Sequence, residues 1–251
     1  MFDKQIEFIS HKDYVNLNED HPIPIKLNIP AWFKKLKHGP FNNERFTIKG
    51  CMPFLDTLTS GYLLKIPQDY QIQHNVYNEE TKEMDSFYRT GDVFHDLIKV
   101  KGVNLSGARA STHGLFQVEG STFAEKNKNL PIYKFLNPWC IKTPPGYSCL
   151  FVPPLNNEDD RFSIIPGIVD TDTFQPEINF PMIINGDKYD TLTTIIKKGT
   201  PYVQVIPFKR DSWKMKITGV SSDKLQSKKL FYALKILHNY KERFWSKKNW
   251  R

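Results

Sequence analysis

Cysteine is scarce. Cys51, Cys140 and Cys149 are the only three in 251 residues, an odd number without metal-ligand spacing. That speaks against a disulfide scaffold or a zinc ribbon and leaves reduced, buried thiols as the expectation. Long apolar runs are also missing, and none reaches the ~20 residues needed to cross a bilayer. The opening "MFDKQIEFISHKDY" carries charges where a secretory signal would have its apolar core. The expectation is a soluble chain of the cytoplasm with no membrane partner. No internal repeat and no low-complexity tract is found.

What is present is a chain rich in Phe, Tyr, Ile, Asn and Lys, with apolar residues spread along its length. Such a chain can bury one sizeable core, so one main domain with appendages is expected. The formal charge of +8 is unevenly placed: Lys209 to Arg251 holds thirteen Lys and Arg against three acids, Asp211, Asp223 and Glu242. The remainder is close to neutral.

Three segments follow. Residues 1–49 form an irregular N-terminal arm packing on the body. In it "HPIPIKLNIPAWFKKLKHGPF" sets four prolines around Trp32 and Phe33 and allows only a short helix after Pro30. Residues 50–218 are dominated by strand-length runs, "GYLLKIP", "YQIQHNVY", "HGLFQV", "YSCLFVP", "FSIIPGIV", "EINFPMII" and "YVQVIPF", punctuated by Pro, Gly, Asn and Asp. This is the pattern of a barrel or sandwich rather than of alternating β-α units. "YNEETKEMDSFYRTGD" reads as an exposed excursion between strands. Over 219–251 the period becomes helical, with Leu230, Leu234, Leu237 and Phe244 on one side and Lys224, Lys228, Lys235 and Arg243 opposite. Ser222 or Asp223 can cap that helix.

The chemistry-bearing candidates are few. In "GIVDTDTFQPEINFPMII", Asp170 and Asp172 stand one residue apart between two strand-like runs, either as a catalytic pair or as the shapers of a tight turn. His11 and Asp13 have the spacing of an iron facial triad that His113 or His238 would close, but they lie in the irregular arm, where a solvent-facing pair is expected. "GARASTHGLF" offers Arg109, Ser111, Thr112 and His113 to an anion, or is an ordinary loop. Cys51 and Cys140 sit in apolar sequence that disfavours the thiolate. Trp139 and Trp213 read as core anchors at strand ends. Lys224, Lys228 and Lys235 are the nucleic-acid candidates. No aromatic or Gly-rich motif accompanies that charge, so docking of the leucine face with a solvated Lys face is preferred.

The segment from about Thr59 to Phe208 resembles the deoxyuridine triphosphatase and deoxycytidine triphosphate deaminase superfamily. Gly167 to Asp172 match its "GVIDSDYRG" type motif, and Gly199, Val203, Gln204 and Val205 its "GDRIAQLVV" type motif. "PPGYSCLFVPP" is similar to its strand pair, and "TSGYLLKIPQDYQI" to its "SAGYDL" opening. The resemblance implies a mainly β, dUTPase-like (β-clip) barrel, a homotrimer, and a nucleotide or other small ligand. It also implies a general-base role for Asp170, with Gly61, Tyr62, Asp172, Phe174 and Gln204 lining the substrate. Mg²⁺ would follow only for a hydrolase or deaminase. The sequence departs from the pattern at Leu63, where the family has a metal-side Asp, at Thr173, where it has an aromatic, at "PPLNN" in place of "RSS", and in lacking the Gly-rich tail motif. Because the partner motifs fail, the turn reading of Asp170 and Asp172 is preferred.

The whole chain also resembles an uncharacterised family encoded by tailed bacteriophages, carried by "IKGCMPFLDTLTSGYLLKIP", "NPWCIKTPPGYSCLFVPPLN" and "GIVDTDTF". This implies host-cell cytoplasm or the virion. The reading is therefore an atypical ligand-binding or interaction module, with a divergent Mg²⁺-dependent hydrolase or deaminase and a virion component as alternatives.

Overall fold

The computed structural model describes residues 4–17, 20–39, 47–90, 112–156, 159–226 and 239–251. It is mainly β, with several antiparallel sheets and a few short helices. Contacts divide it into two units, Met1–Ile23 with Gly61–Lys209, and Pro24–Ser60 with Arg210–Arg251. The first residues thus join the sheets, while 50–60 and 210–218 group with the second unit.

The strands, all in the first unit apart from Pro24 at the end of β2, are β1 (Glu7–Ile9), β2 (Ile23–Pro24), β3 (Tyr62–Lys65), β4 (Tyr70–Asn78), β5 (Glu83–Thr90), β6 (Thr112–His113) and β7 (Ile132–Phe135). They continue with β8 (Cys140–Lys142), β9 (Tyr147–Val152), β10 (Phe162–Ile164), β11 (Gly167–Val169), β12 (Phe180–Ile184), β13 (Leu192–Ile196) and β14 (Pro201–Lys209). One sheet has the order β11-β9-β14-β3-β2, a second β10-β12-β7-β6, a third β13-β4-β5, and β1 pairs with β8. No closed barrel forms among the described residues.

β14 organises the first sheet. Its residues Pro201–Val205 pair with β3 and Gln204–Lys209 with β9. Pro207 therefore lies past the end of β3, where its missing N–H interrupts no ladder on that side. Tyr202, Val203 and Val205 are buried. They meet Tyr70, Phe135, Phe151, Phe162 and Phe180 in a chain of rings whose centroids lie 5.2 to 5.7 Å apart, mostly edge-on or tilted. Each such buried side chain contributes about 1.5–3 kcal/mol by leaving water.

A short helix, Thr122–Lys126, is capped by Ser121, whose hydroxyl oxygen accepts from the Ala124 N–H at 3.3 Å. It ends at buried Asn127, which donates to the carbonyls of Leu130 (2.8 Å) and Pro131 (3.3 Å) and accepts from the Ile184 N–H (2.9 Å). One amide thus fastens the helix end to β12. Beside it, buried His74 on β4 faces the Tyr133 ring at 6.5 Å. Its imidazole pKa is lowered to about 4, first by burial and then by the Lys128 charge.

Several expectations are corrected. "YNEETKEMDSFYRTGD" is, as far as Thr90, regular strand rather than irregular excursion: β4 and β5 form a hairpin, with Val76↔Asp85 and Tyr77↔Met84 in register, while Gly91 and Asp92 lie outside the described residues. The Asn78 side chain accepts from the Glu80 and Thr81 N–H groups, and Lys82 takes φ +59°, a turn whose chemistry overrides the polar composition. "HGLFQV" is a 3-10 turn over Leu115–Gln117 after a two-residue strand. The N-terminal arm is partly regular, because β1 pairs Glu7↔Lys142 to Ile9↔Cys140 and Tyr14 enters the core against Trp139 at 5.6 Å. Trp139 is the anchor expected, whereas Trp213 is almost wholly exposed. The three thiols are free, as expected, but Cys51 is exposed and Cys140 half-buried, and only Cys149 is buried.

In the second unit, Pro30 precedes the helix Ala31–Lys35, and Phe33 stacks on Phe54 of the helix Met52–Thr57 at 5.8 Å. The Lys49 ammonium donates to the carbonyls of Lys34 (3.0 Å) and Leu36 (2.9 Å), satisfying acceptors that the helix end leaves open. Asp56 accepts from the Trp245 indole at 3.1 Å and the Lys248 ammonium at 2.6 Å. Helical residues start at Ser222 and recur over Asn239–Arg243, after which the chain is irregular. Lys224 is exposed; Lys228, Lys235, Leu230, Leu234 and Leu237 lie outside the described residues. Among the described residues no helix is long and apolar enough to cross a membrane.

Candidate functional site

The Asp-Thr-Asp stretch follows β11 directly. Its first residue closes one turn: the Asp170 carbonyl accepts from the N–H groups of Thr173 (3.1 Å) and Phe174 (2.9 Å). A second turn approaches from the start of β9, where "PPGY" forms a type II turn with Tyr147 N–H donating to the Pro144 carbonyl at 3.2 Å and Gly146 at φ +82°.

Side chains stitch the two turns together. The Asp172 carboxylate accepts from the Gly146 N–H at 2.8 Å, and Asp170 accepts from the buried Ser148 hydroxyl at 2.6 Å. Between them Thr171 is fully buried; its hydroxyl meets that of Thr143 at 2.7 Å and donates to the Cys149 sulfur at 3.3 Å. The Thr143 N–H adds a bond to the Thr171 carbonyl at 3.2 Å. Burial pushes the Cys149 thiol up to about 11 against the opposing Thr171 bond, which removes it as a nucleophile near neutrality. Ser148, Thr143 and Thr171 are the members that sequence reasoning passed over. Only Ser148 carried a signal, as a lone hydroxyl inside the apolar run "YSCLFV"; Thr143 beside Pro-Pro-Gly and Thr171 between two aspartates carried none.

The other expected site residues are spread along the same sheet. Gly61, at φ +85°, precedes β3, and a Cβ there would stand 2.1 Å from the Val205 carbonyl oxygen, so its role is close strand packing. Tyr62 packs edge-on against Phe8 at 5.4 Å, and burial raises its phenol pKa. Gln204 is fully buried and accepts from the Leu155 N–H at 2.9 Å, pinning the "PPLNN" turn. Gln204 lies opposite Val152 whereas Asp170 bonds to Ser148. Four rungs of β9 separate the two, about 13 Å at the usual rise. Asp170, Asp172 and Phe174 come together; Gly61, Tyr62 and Gln204 do not join them.

Leu63, which stands where the sequence resemblance would put a metal-side Asp, is fully buried opposite Gln204 and offers no oxygen to a cation. A Mg²⁺–triphosphate needs several oxygen ligands, and Leu63 is not one of them. Among the described residues no three His, Cys, Asp or Glu gather as a metal centre would require. His11 and Asp13 form an exposed pair at 3.5 Å, and His113 contacts Gln117 at 2.6 Å. Thr112 and His113 belong to β6; Arg109, Ser111 and His238 lie outside the described residues. Burial, then the Glu177 charge, raises the Cys140 pKa. A groove of about 510 Å³ bordered by Thr122, Phe123, Lys126, Pro153, Ser163 and Asp187 contains none of the expected residues.

No protein-family model, curated protein or solved structure matches the chain, so the functional reading rests on this geometry.

Proposed function

We propose that the chain is a phage-associated binding and interaction module on a dUTPase-like scaffold, in which the Asp-Thr-Asp turn is a fastening and not a hydrolytic centre. One observation carries this reading: Asp172 is engaged by the Gly146 N–H and Asp170 by the Ser148 hydroxyl. Supporting the scaffold assignment are the placement of Asp170 at the end of β11 and of Gln204 on β14, both flanking β9. A stabilised triphosphate transition state needs cationic or metal charge at the developing negative oxygens. Leu63 supplies none.

A small ligand remains compatible with the exposed part of the turn. Asp170 is an exposed residue, although its Oδ1 is held by Ser148, and Phe174, 43% exposed, stands on the same turn, a polar acceptor beside an apolar face. The test is incubation of purified protein with Mg²⁺ and deoxyuridine or deoxycytidine triphosphate, with calorimetry using the same nucleotides. No pyrophosphate or ammonia release is expected. Mg²⁺-dependent turnover that Asp170→Asn abolishes would make the protein a hydrolase or deaminase and overturn the reading.

A further inference from the structure

Beyond β14 the chain runs as an extended segment, and every residue from Asp211 to Val220 is exposed without regular secondary structure. Its apolar residues alternate: Trp213 is 92% exposed, Met215 84% and Ile217 86%, with Lys214 and Lys216 between them. Period-two alternation is the pattern of a strand with one apolar and one charged face. Apolar exposure of this extent marks an interaction surface rather than ordinary surface scatter.

A matching receptor lies on the first sheet. β11 is its terminal strand, and edge strands invite pairing by another extended segment. On the face that does not enter the core, Ile168, 63% exposed, shares a rung with Leu150 and Ile206, and the 37%-exposed Phe208 follows on the next rung but one. Asp170, bonded to Ser148 of β9, and Asp172, bonded to the Gly146 N–H, bring negative charge to the end of that strip, whereas Arg210, Lys214 and Lys216 outweigh Asp211 and leave the extended segment positive. Shape period, apolarity and charge sign are complementary, and one chain carries both halves.

We propose that residues 210–220 form a docking strand for a second copy of this chain, seating along the β11 edge of its partner with Trp213, Met215 and Ile217 over Ile168. The inference does not depend on whether the Asp170 turn takes a ligand. It fixes the self-association surface.

Sedimentation velocity and light scattering on the full chain test it. The protein should be a dimer or a larger closed oligomer. Trp213→Ser with Ile217→Ser should yield monomer with an unchanged circular dichroism spectrum, because those side chains touch little in the single chain. Ile168→Asp, on the receiving side, should have the same effect. Rising salt should weaken association through the Lys–carboxylate contribution. In a Cys51→Ser, Cys140→Ser background, mixing Ile168→Cys protein with Met215→Cys protein should give an interchain disulfide that neither forms alone. A monomer at the highest attainable concentration overturns the proposal. So do an oligomer indifferent to both surface variants, absence of the mixed disulfide, and a monomer whose Trp213 segment binds anionic lipid vesicles instead.

Discussion

Gly61 and Gly146 adopt nearly the same left-handed backbone, φ +85° and +82°, in opposite surroundings. A methyl at Gly61 would meet the Val205 carbonyl oxygen at 2.1 Å, whereas a methyl at Gly146 would meet nothing within 4 Å. Both Ala variants carry the left-handed penalty of about 1–2 kcal/mol, partly offset by about 0.4–1 kcal/mol from the lower entropy of the unfolded chain. Gly146→Ala should therefore cost roughly 1 kcal/mol. At Gly61 the obstacle is backbone, which no rotamer change relieves, so β3 must shift by about 1 Å from β14. The register there is Tyr62↔Val205. Losing one buried ladder bond adds about 1–3 kcal/mol, for a total of roughly 2–4 kcal/mol. Urea unfolding followed by circular dichroism measures both variants, with the midpoint shifted much further for Gly61→Ala. Equal and small shifts would refute the strand-packing role. Unchanged stability with lost nucleotide binding would instead make Gly61 a ligand-approach position.

Two further outcomes follow from the core. His74 has a folded pKa of about 4 against an ordinary 6.5, so the unfolded chain binds the extra proton first. Its contribution is complete above about pH 6.5 and lost as pH falls towards 4, amounting to about 3 kcal/mol. Stability measured from pH 7 to 4 should fall more steeply than in His74→Gln, and parallel slopes would refute it. Asn127→Ala removes the acceptor for the buried Ile184 N–H and the donor for the half-buried Leu130 carbonyl, and should cost about 1–3 kcal/mol for the buried group alone and more with the second. Amide exchange at Ile184 should accelerate, and an unchanged rate would contradict the fastening.

Much of the β-rich body was legible because its strands obey local rules. "YSCLFV" and "YVQVIPFK" carry runs that must be buried somewhere, and Pro, Gly and Asn mark their ends. The Asp-Thr-Asp turn was legible for the same reason. What the sequence could not disclose depended on distant partners. β1 is three residues long and gains its identity only from β8. β5 reads as polar because a single strand pairing and one Asn-stabilised turn define it. Trp213 was read as a core anchor because large aromatics usually are, and its exposure could not be seen from composition. The scatter of Gly61, Tyr62 and Gln204 away from Asp170 is a matter of register along β9, which no local motif encodes.

The discontinuity of the second unit has a consequence for the newborn chain. Asp56 finds Trp245 and Lys248 only 189 and 192 residues later, while Gly61–Lys209 is an uninterrupted stretch between them. At ~5–20 residues per second of synthesis, Asp56 waits about 10–40 s for its partners. During that interval the aromatic contacts of Trp32, Phe33 and Phe54 join two short helices without the later Trp245 and Lys248 clasp. The sheets between can assemble meanwhile, so translation itself orders the two events: the unit that holds Gly61–Lys209 first, and the other once Trp245 and Lys248 have been synthesised.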